Sequence, residues 1–130
     1  MSTKPKPSAV VFAKDVAGMA RFYGDVAGMQ EVYGDKGYVV LDGGHFQLVI
    51  HGIPAHIAAS IEITRPPQIR DAMPIKICLP VDGIDEARTR AAQLGGHIGP
   101  KANEWQARGF TACDGHDPEG NVFQVREGAA

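Results

Sequence analysis

The side chains best suited to chemistry in this sequence are five histidines and two cysteines: His45, His51, His56, His97 and His116, with Cys78 and Cys113. Imidazole and thiolate ligate metals and move protons, so their spacing decides what they can do together. No pair stands in a HExxH or HxxxH pattern, which would set both rings on one helix face. His45 and His51 fall on one strand face, but six strand residues span about 20 Å, too far to share an ion. The cysteines lack a CxxC partner, and each lies in an apolar run where a thiol acts as a small hydrophobe. A nucleophile elbow, a phosphate loop and a dinucleotide fingerprint are all missing. Any chemistry must therefore come from residues that the fold, not a local motif, brings together.

The chain has 130 residues, 44% of them hydrophobic and 22% charged. That length and balance predict one domain with an ordinary core. A net charge of −2 gives no basic footprint for nucleic acid. No apolar run is long enough to span a bilayer, and Met1 to Pro7 lacks a signal-peptide stretch, so a cytoplasmic protein without disulfides is expected. Residues 1–7 read as a flexible lead-in and 128–130 as a frayed tail.

Hydrophobic periodicity predicts the elements. Ala9–Ala13 is a strand, and Asp15 caps a helix carrying Val16, Met19, Ala20, Tyr23 and Val26, stopped by Gly28. Glu31–Tyr33, Tyr38–Leu41 and Phe46–His51 form an antiparallel meander split by Gly/Asp turns. Then the order repeats. Ile75–Val81 is a strand with Ile75, Ile77, Leu79 and Val81 on one face. Asp82 or Asp85 caps a helix with Ile84, Ala87, Ala91 and Leu94 as its stripe, ended by Gly95-Gly96. Strands follow at 97–98, 109–114 and 121–126, and "FQLV" closing one half answers "FQVR" closing the other. An internal repeat sets the fold. It predicts an α+β protein of two βαβββ modules, at about 8–52 and 75–127, whose curved mixed sheets surround a cleft with helices outside. A linker at about 53–74 holds a short helix near Pro54 to Ser60.

These residues resemble the vicinal oxygen chelate (glyoxalase/bleomycin-resistance/dioxygenase) superfamily. The similarity rests on Lys14-Asp15, Arg21-Phe22-Tyr23 and Gly28 in the opening half. The turn Asp117-Pro118-Glu119-Gly120-Asn121 with its following strand is the most specific piece. The turn reads as structural, since Asp and Asn bond nearby N–H groups, Pro fixes φ and Gly permits positive φ.

The resemblance implies four cleft positions where metal-dependent members place His, Glu or Gln, and here they carry Ser8, Gln47, Lys76 and Gln124. Strand alternation sets Gln47, Val49, Cys78 and Gln124 toward the cleft and Leu48, Ile50, Phe123 and Val125 into the core. An ammonium where a dication should sit repels it by several kcal/mol, so metal is not expected at this set. The expected site is instead a ligand pocket, with Val10, Phe12, Val49 and Cys78 as apolar wall and Ser8, Gln47, Lys76 and Gln124 as hydrogen-bonding groups. His51 borders it. Trp105, Arg108 and Phe110 stand where similar proteins border the cleft or a subunit interface, and an aromatic and an Arg there stack on planar ligands. The first reading is a metal-independent binder of a small organic molecule, similar to the bleomycin-resistance branch, acting as a homodimer with no catalytic residue and no cofactor. The alternative is a lyase, isomerase or dioxygenase of the same superfamily using one divalent metal ion. An interaction module without ligand is a third reading.

Overall fold

The structure, a computed structural model, describes residues 4–129. Residues 1–3 of the expected lead-in and Ala130 of the expected tail lie outside the described residues. Lys6 and Pro7 are bound: the Lys6 ammonium pairs with Asp42 at 2.8 Å, and the Gln47 N–H donates to the Pro7 carbonyl.

The two-module α+β architecture expected from the repeat is present. The first sheet has the order β1-β4-β3-β2, with β1 (Ser8–Ala13) parallel to β4 (Gln47–Gly52) and β2 (Gln30–Gly34) and β3 (Tyr38–Asp42) completing the meander. The second has the order β5-β9-β8-β6, with β5 (Ile77–Val81) parallel to β9 (Val122–Gly128), β8 (Phe110–His116) next, and β6 (His97–Ile98) at the edge. A short β7 (Trp105–Gln106) also pairs with β8 and carries Trp105. Helices α1 (Val16–Ala27) and α3 (Ile84–Gln93) lie outside the sheets, and α2 (Ala55–Ala58) is the short helix expected in the connection.

Local chemistry explains most boundaries. The Asp15 carboxylate accepts from Gly18 N–H at the start of α1, and Gly28 ends it in the left-handed region at φ 66°. Two expectations fail. Neither Asp82 nor Asp85 caps α3: Gly83 stands at the cap, Ile84 N–H donates to the Glu127 carboxylate at 2.7 Å, and Asp85 instead binds Arg88. Strand β5 starts at Ile77, leaving Ile75 76% exposed, because no neighbouring strand reaches back that far.

The modules are joined through α1. Phe22, Tyr23 and Phe123 meet edge to face with centroids 5.2–5.7 Å apart, in a core continuous with Leu48, Ile50, Leu79, Ile84 and Val125. A Cβ on Gly96 would sit 2.3 Å from the Phe22 ring, so only glycine lets this ring seat. The 117–121 turn reaches back to the same helix. The Tyr23 hydroxyl donates to wholly buried Asp117 at 2.6 Å, and the Glu119 carboxylate accepts from the N–H groups of Lys14 and Asp15 at 2.9 and 2.8 Å. Asp117 also accepts from Glu119 N–H and from the backbone and side-chain N–H groups of Asn121. Gly120 has φ 90° and a Cβ there would strike the Gln68 carbonyl, so the turn needs glycine twice over.

Burial, then the neighbouring Asp117 charge, holds the Tyr23 hydroxyl well above its ordinary value of 10.0. The unfolded chain releases that proton near its ordinary value and the folded chain keeps it. Stability is therefore full below that pH and falls as pH rises beyond it, by about 1.4 kcal/mol per unit. Urea unfolding should show Tyr23→Phe less stable than wild type by about 1–3 kcal/mol at neutral pH. Between pH of about 10 and 11.5 the wild type should lose stability more steeply than the variant, and parallel curves would exclude this role for Tyr23.

Candidate functional site

Strand alternation leaves each sheet one face away from the helices, and those open faces carry the expected site residues. On the first, Ser8 and Gln47 are register partners, as are Val10 with Val49 and Phe12 with His51. Val10 is 50% and Phe12 58% exposed. Four rings form a ladder across all four strands: Tyr33 to Tyr38 at 5.4 Å, Tyr38 to His51 at 5.9 Å with nearly parallel planes, and His51 to Phe12 at 5.6 Å. Such a row offers aromatic surface to a planar molecule. His45 is not on this face. It lies in the bend before β4, because Gly43 and Gly44 carry the turn past it.

Gln47 is engaged on one side. Its amide N–H donates to Asp42 Oδ2 at 3.0 Å, and Lys6 donates to the same oxygen. Hydrogen bonds from Lys6, Gln47 and the Gly44 N–H hold the Asp42 carboxyl well below the usual carboxylate range.

The second open face carries a more connected group. Lys76, just before β5, pairs with Asp114 at 2.9 Å. Gln124 is 7% exposed and both ends of its amide are committed: Nε2 donates to Asp114 Oδ1 at 3.2 Å, and Oε1 accepts from Arg126 Nε at 2.7 Å. A second Arg126 nitrogen lies 3.3 Å from Cys78 Sγ. The Arg126 guanidinium stands 4.5 Å over the Phe110 ring, with that of Arg108 at 5.3 Å. Trp105 faces Ala112 across β7 and β8, and Ala112 faces Arg126 across β8 and β9, which sets Trp105 and Arg126 on one side.

The structure thus brings Ser8, Val10, Phe12, Gln47, Val49 and His51 together on one face. Lys76, Cys78, Gln124, Trp105 and Arg108 gather on the other. Among the described residues, no hydrogen bond, ion pair or ring contact given by the structure joins one group to the other. Contacts between modules run through α1, on the helix side. Neither of two surface depressions involves these residues. One, of about 480 Å³, lies between α1 and α3 and is lined by Asp25, Arg90 and Leu94. The other, of about 240 Å³, lies where the linker meets Glu119.

The donor set does not fit a divalent metal. Ser8 is neutral, Lys76 is a cation, and the one strong Gln124 acceptor already holds a guanidinium. Among the described residues no group of three or more His, Cys, Asp or Glu side chains is placed to hold an ion. His97 and His116 do meet as register partners, with rings 5.7 Å apart. Cys113 is buried and its thiol is pushed up, chiefly by burial, which makes it inert; Cys78 is also free.

Arg126 and Asp114 escaped the sequence reading although they organise this face. Arg126 was reachable, since it lies two residues beyond Gln124 and must share its face. Asp114 was not, because its role depends on the register between β8 and β9.

A family model described as the glyoxalase-like domain matches residues 8–126. The chain belongs to this family. Solved structures agree on the fold. A glyoxalase/bleomycin resistance protein/dioxygenase family enzyme from Burkholderia phytofirmans PsJN matches with a TM-score of 0.69 at 20% identity, over 94% of this chain and 97% of that one. The fosfomycin resistance protein FosX from Mesorhizobium loti matches at 0.64 and 16% identity, over 99% and 95%. A bleomycin-binding protein complexed with bleomycin matches at 0.58 and 20%, over 98% and 100%. No curated protein matches this chain. At these identities the likeness to solved structures is one of fold, and the glyoxalase-like chain's own residues must carry the chemistry.

The network makes unequal demands on its members. Lys76→Ala removes a pair whose side chains are both 41% exposed, so urea unfolding should change by less than about 1 kcal/mol. Gln124→Leu strips partners from Arg126 and Asp114 together and should cost about 2–3 kcal/mol. The reverse order would show that Lys76, not Gln124, organises the face.

Proposed function

We propose that this glyoxalase-like protein binds a small organic molecule without a metal, in the cleft bordered by the open faces of its two modules. The observation that carries this reading is the commitment of Gln124. Its acceptor oxygen is occupied by Arg126 and its donor by Asp114, so the place where metal-dependent relatives need a ligand holds a positive charge. A dication there would face the Arg126 and Lys76 cations with one already-paired carboxylate between them. What remains is apolar wall with a few oriented polar groups, the usual make-up of small-molecule sites.

The relatives support the class of function. One solved neighbour is a bleomycin-binding protein and another a fosfomycin resistance protein, both handling small molecules according to their names. The aromatic ladder of Tyr33, Tyr38, His51 and Phe12 supports a ligand with a flat apolar part. The reading includes a homodimer, supported by the exposure of Val10 and Phe12 on a strand face that this chain leaves uncovered. It includes a cytoplasmic setting, in keeping with two free cysteines. No described helix is long and apolar enough to cross a membrane.

Metal analysis of freshly purified protein, paired with a calorimetric screen of drug-like and aromatic small molecules, tests the proposal. The expected result is substoichiometric metal, no rise in melting temperature on adding Mn²⁺, Ni²⁺ or Zn²⁺, and at least one ligand bound in the absence of metal. A stoichiometric divalent ion whose removal abolishes ligand binding would contradict it and favour the lyase, isomerase or dioxygenase reading.

A further inference from the structure

Charge on the second open face is out of balance. Lys76, Arg108 and Arg126 supply three cations there and Asp114 the one carboxylate of the network, already taken by Lys76. Among the described residues no carboxylate lies within ion-pair distance of Arg126 or Arg108. The whole chain has a net charge of −2, so this face runs against the balance of the molecule.

Arg126 is also held still. Its Nε–H is bonded to Gln124, a terminal nitrogen meets Cys78 Sγ, and the Phe110 ring lies under its plane. A guanidinium has five N–H donors in a fixed fork. Most of that fork is unspent on a half-buried residue, and a pre-set fork gives up little freedom when it receives a carboxylate or similar oxyanion. Beside it, across the small residue Ala112, stands Trp105, 42% exposed. A fixed cation next to an open indole suits a flat molecule with an acid group at its edge.

We propose that Arg126 is the anion-recognition residue of the site and that the ligand class is planar aromatic acids, with the ring on Trp105 and the oxyanion on the Arg126 fork. This rests on the cleft-binding reading above and narrows it. Lys76 is the weaker candidate on this face, because Asp114 satisfies its charge.

Three probes on one scaffold separate the possibilities: 2-naphthoate, 2-naphthalenemethanol and 2-naphthylmethylammonium, titrated calorimetrically into wild type, Arg126→Gln, Arg126→Lys and Arg21→Gln, with melting curves confirming each fold. Trp105 is the sole tryptophan, so its amide and indole N–H signals report whether binding occurs at this face. Wild type should bind the carboxylate about tenfold or more tighter than the other two, the effect of one charge-assisted fork. Arg126→Gln should erase that preference and Arg126→Lys should recover only part of it. Arg21→Gln, which removes the same charge from the exposed side of α1, should leave it intact. Equal binding of all three probes, or a carboxylate preference surviving in Arg126→Gln, would overturn the inference while leaving a ligand cleft standing. No binding of any probe would also overturn it, and the cleft reading would then fall only if the wider metal-free screen failed as well.

Discussion

Everything in this fold hangs on two carboxylates in one turn. Asp117 and Glu119 both belong to the second module and both bind the first, Asp117 through the Tyr23 hydroxyl on α1 and Glu119 through the N–H groups of Lys14 and Asp15 just before it. Two carboxylates taken out of water cost several kcal/mol unless fully hydrogen-bonded, and these are. The turn therefore fixes the helix only in one seating, with Phe22 against Phe123 and Gly96. The opening and closing motifs that resemble the family are two halves of a single contact.

That contact has a consequence for the site. Because the modules meet through α1, the sheets keep their other faces bare. A bare face with alternate residues pointing outward is a place to put chemistry, and the two faces have used it differently. The first is a row of rings with one anchored carboxylate. The second is a hydrogen-bonded chain from Lys76 through Asp114 and Gln124 to Arg126, ending on Phe110. The links of that chain hold Asp114, Gln124 and Arg126 in fixed places, and most of the Arg126 fork stays unspent.

Much of this was legible in the sequence because its causes are local. Asp15, Gly28 and the apolar spacing of α1 announce that helix, and alternation alone sorts Leu48 and Ile50 from Gln47 and Val49. The repeat then supplies the topology. The misses share a physical origin in distant partners. Glu127 caps α3 from 43 residues away, a contact that no spacing near Asp82 can reveal. Asp114 neutralises Lys76 across 38 residues, so a lysine that read as a free cation is a paired one. Tyr33 and Tyr38 join the ring ladder only through the register of β2, β3 and β4. Sequence order shows which face a residue takes, and pairing between strands shows what it meets there.

The most direct measurement of the central claim is an anomalous diffraction map at the manganese edge, from crystals grown with millimolar Mn²⁺. The account predicts no peak between Gln47 and Gln124, and Gln124 Oε1 still bonded to Arg126. A peak with an amide oxygen at about 2.0–2.6 Å, the range for oxygen ligands of hard cations, and Arg126 swung away would contradict it.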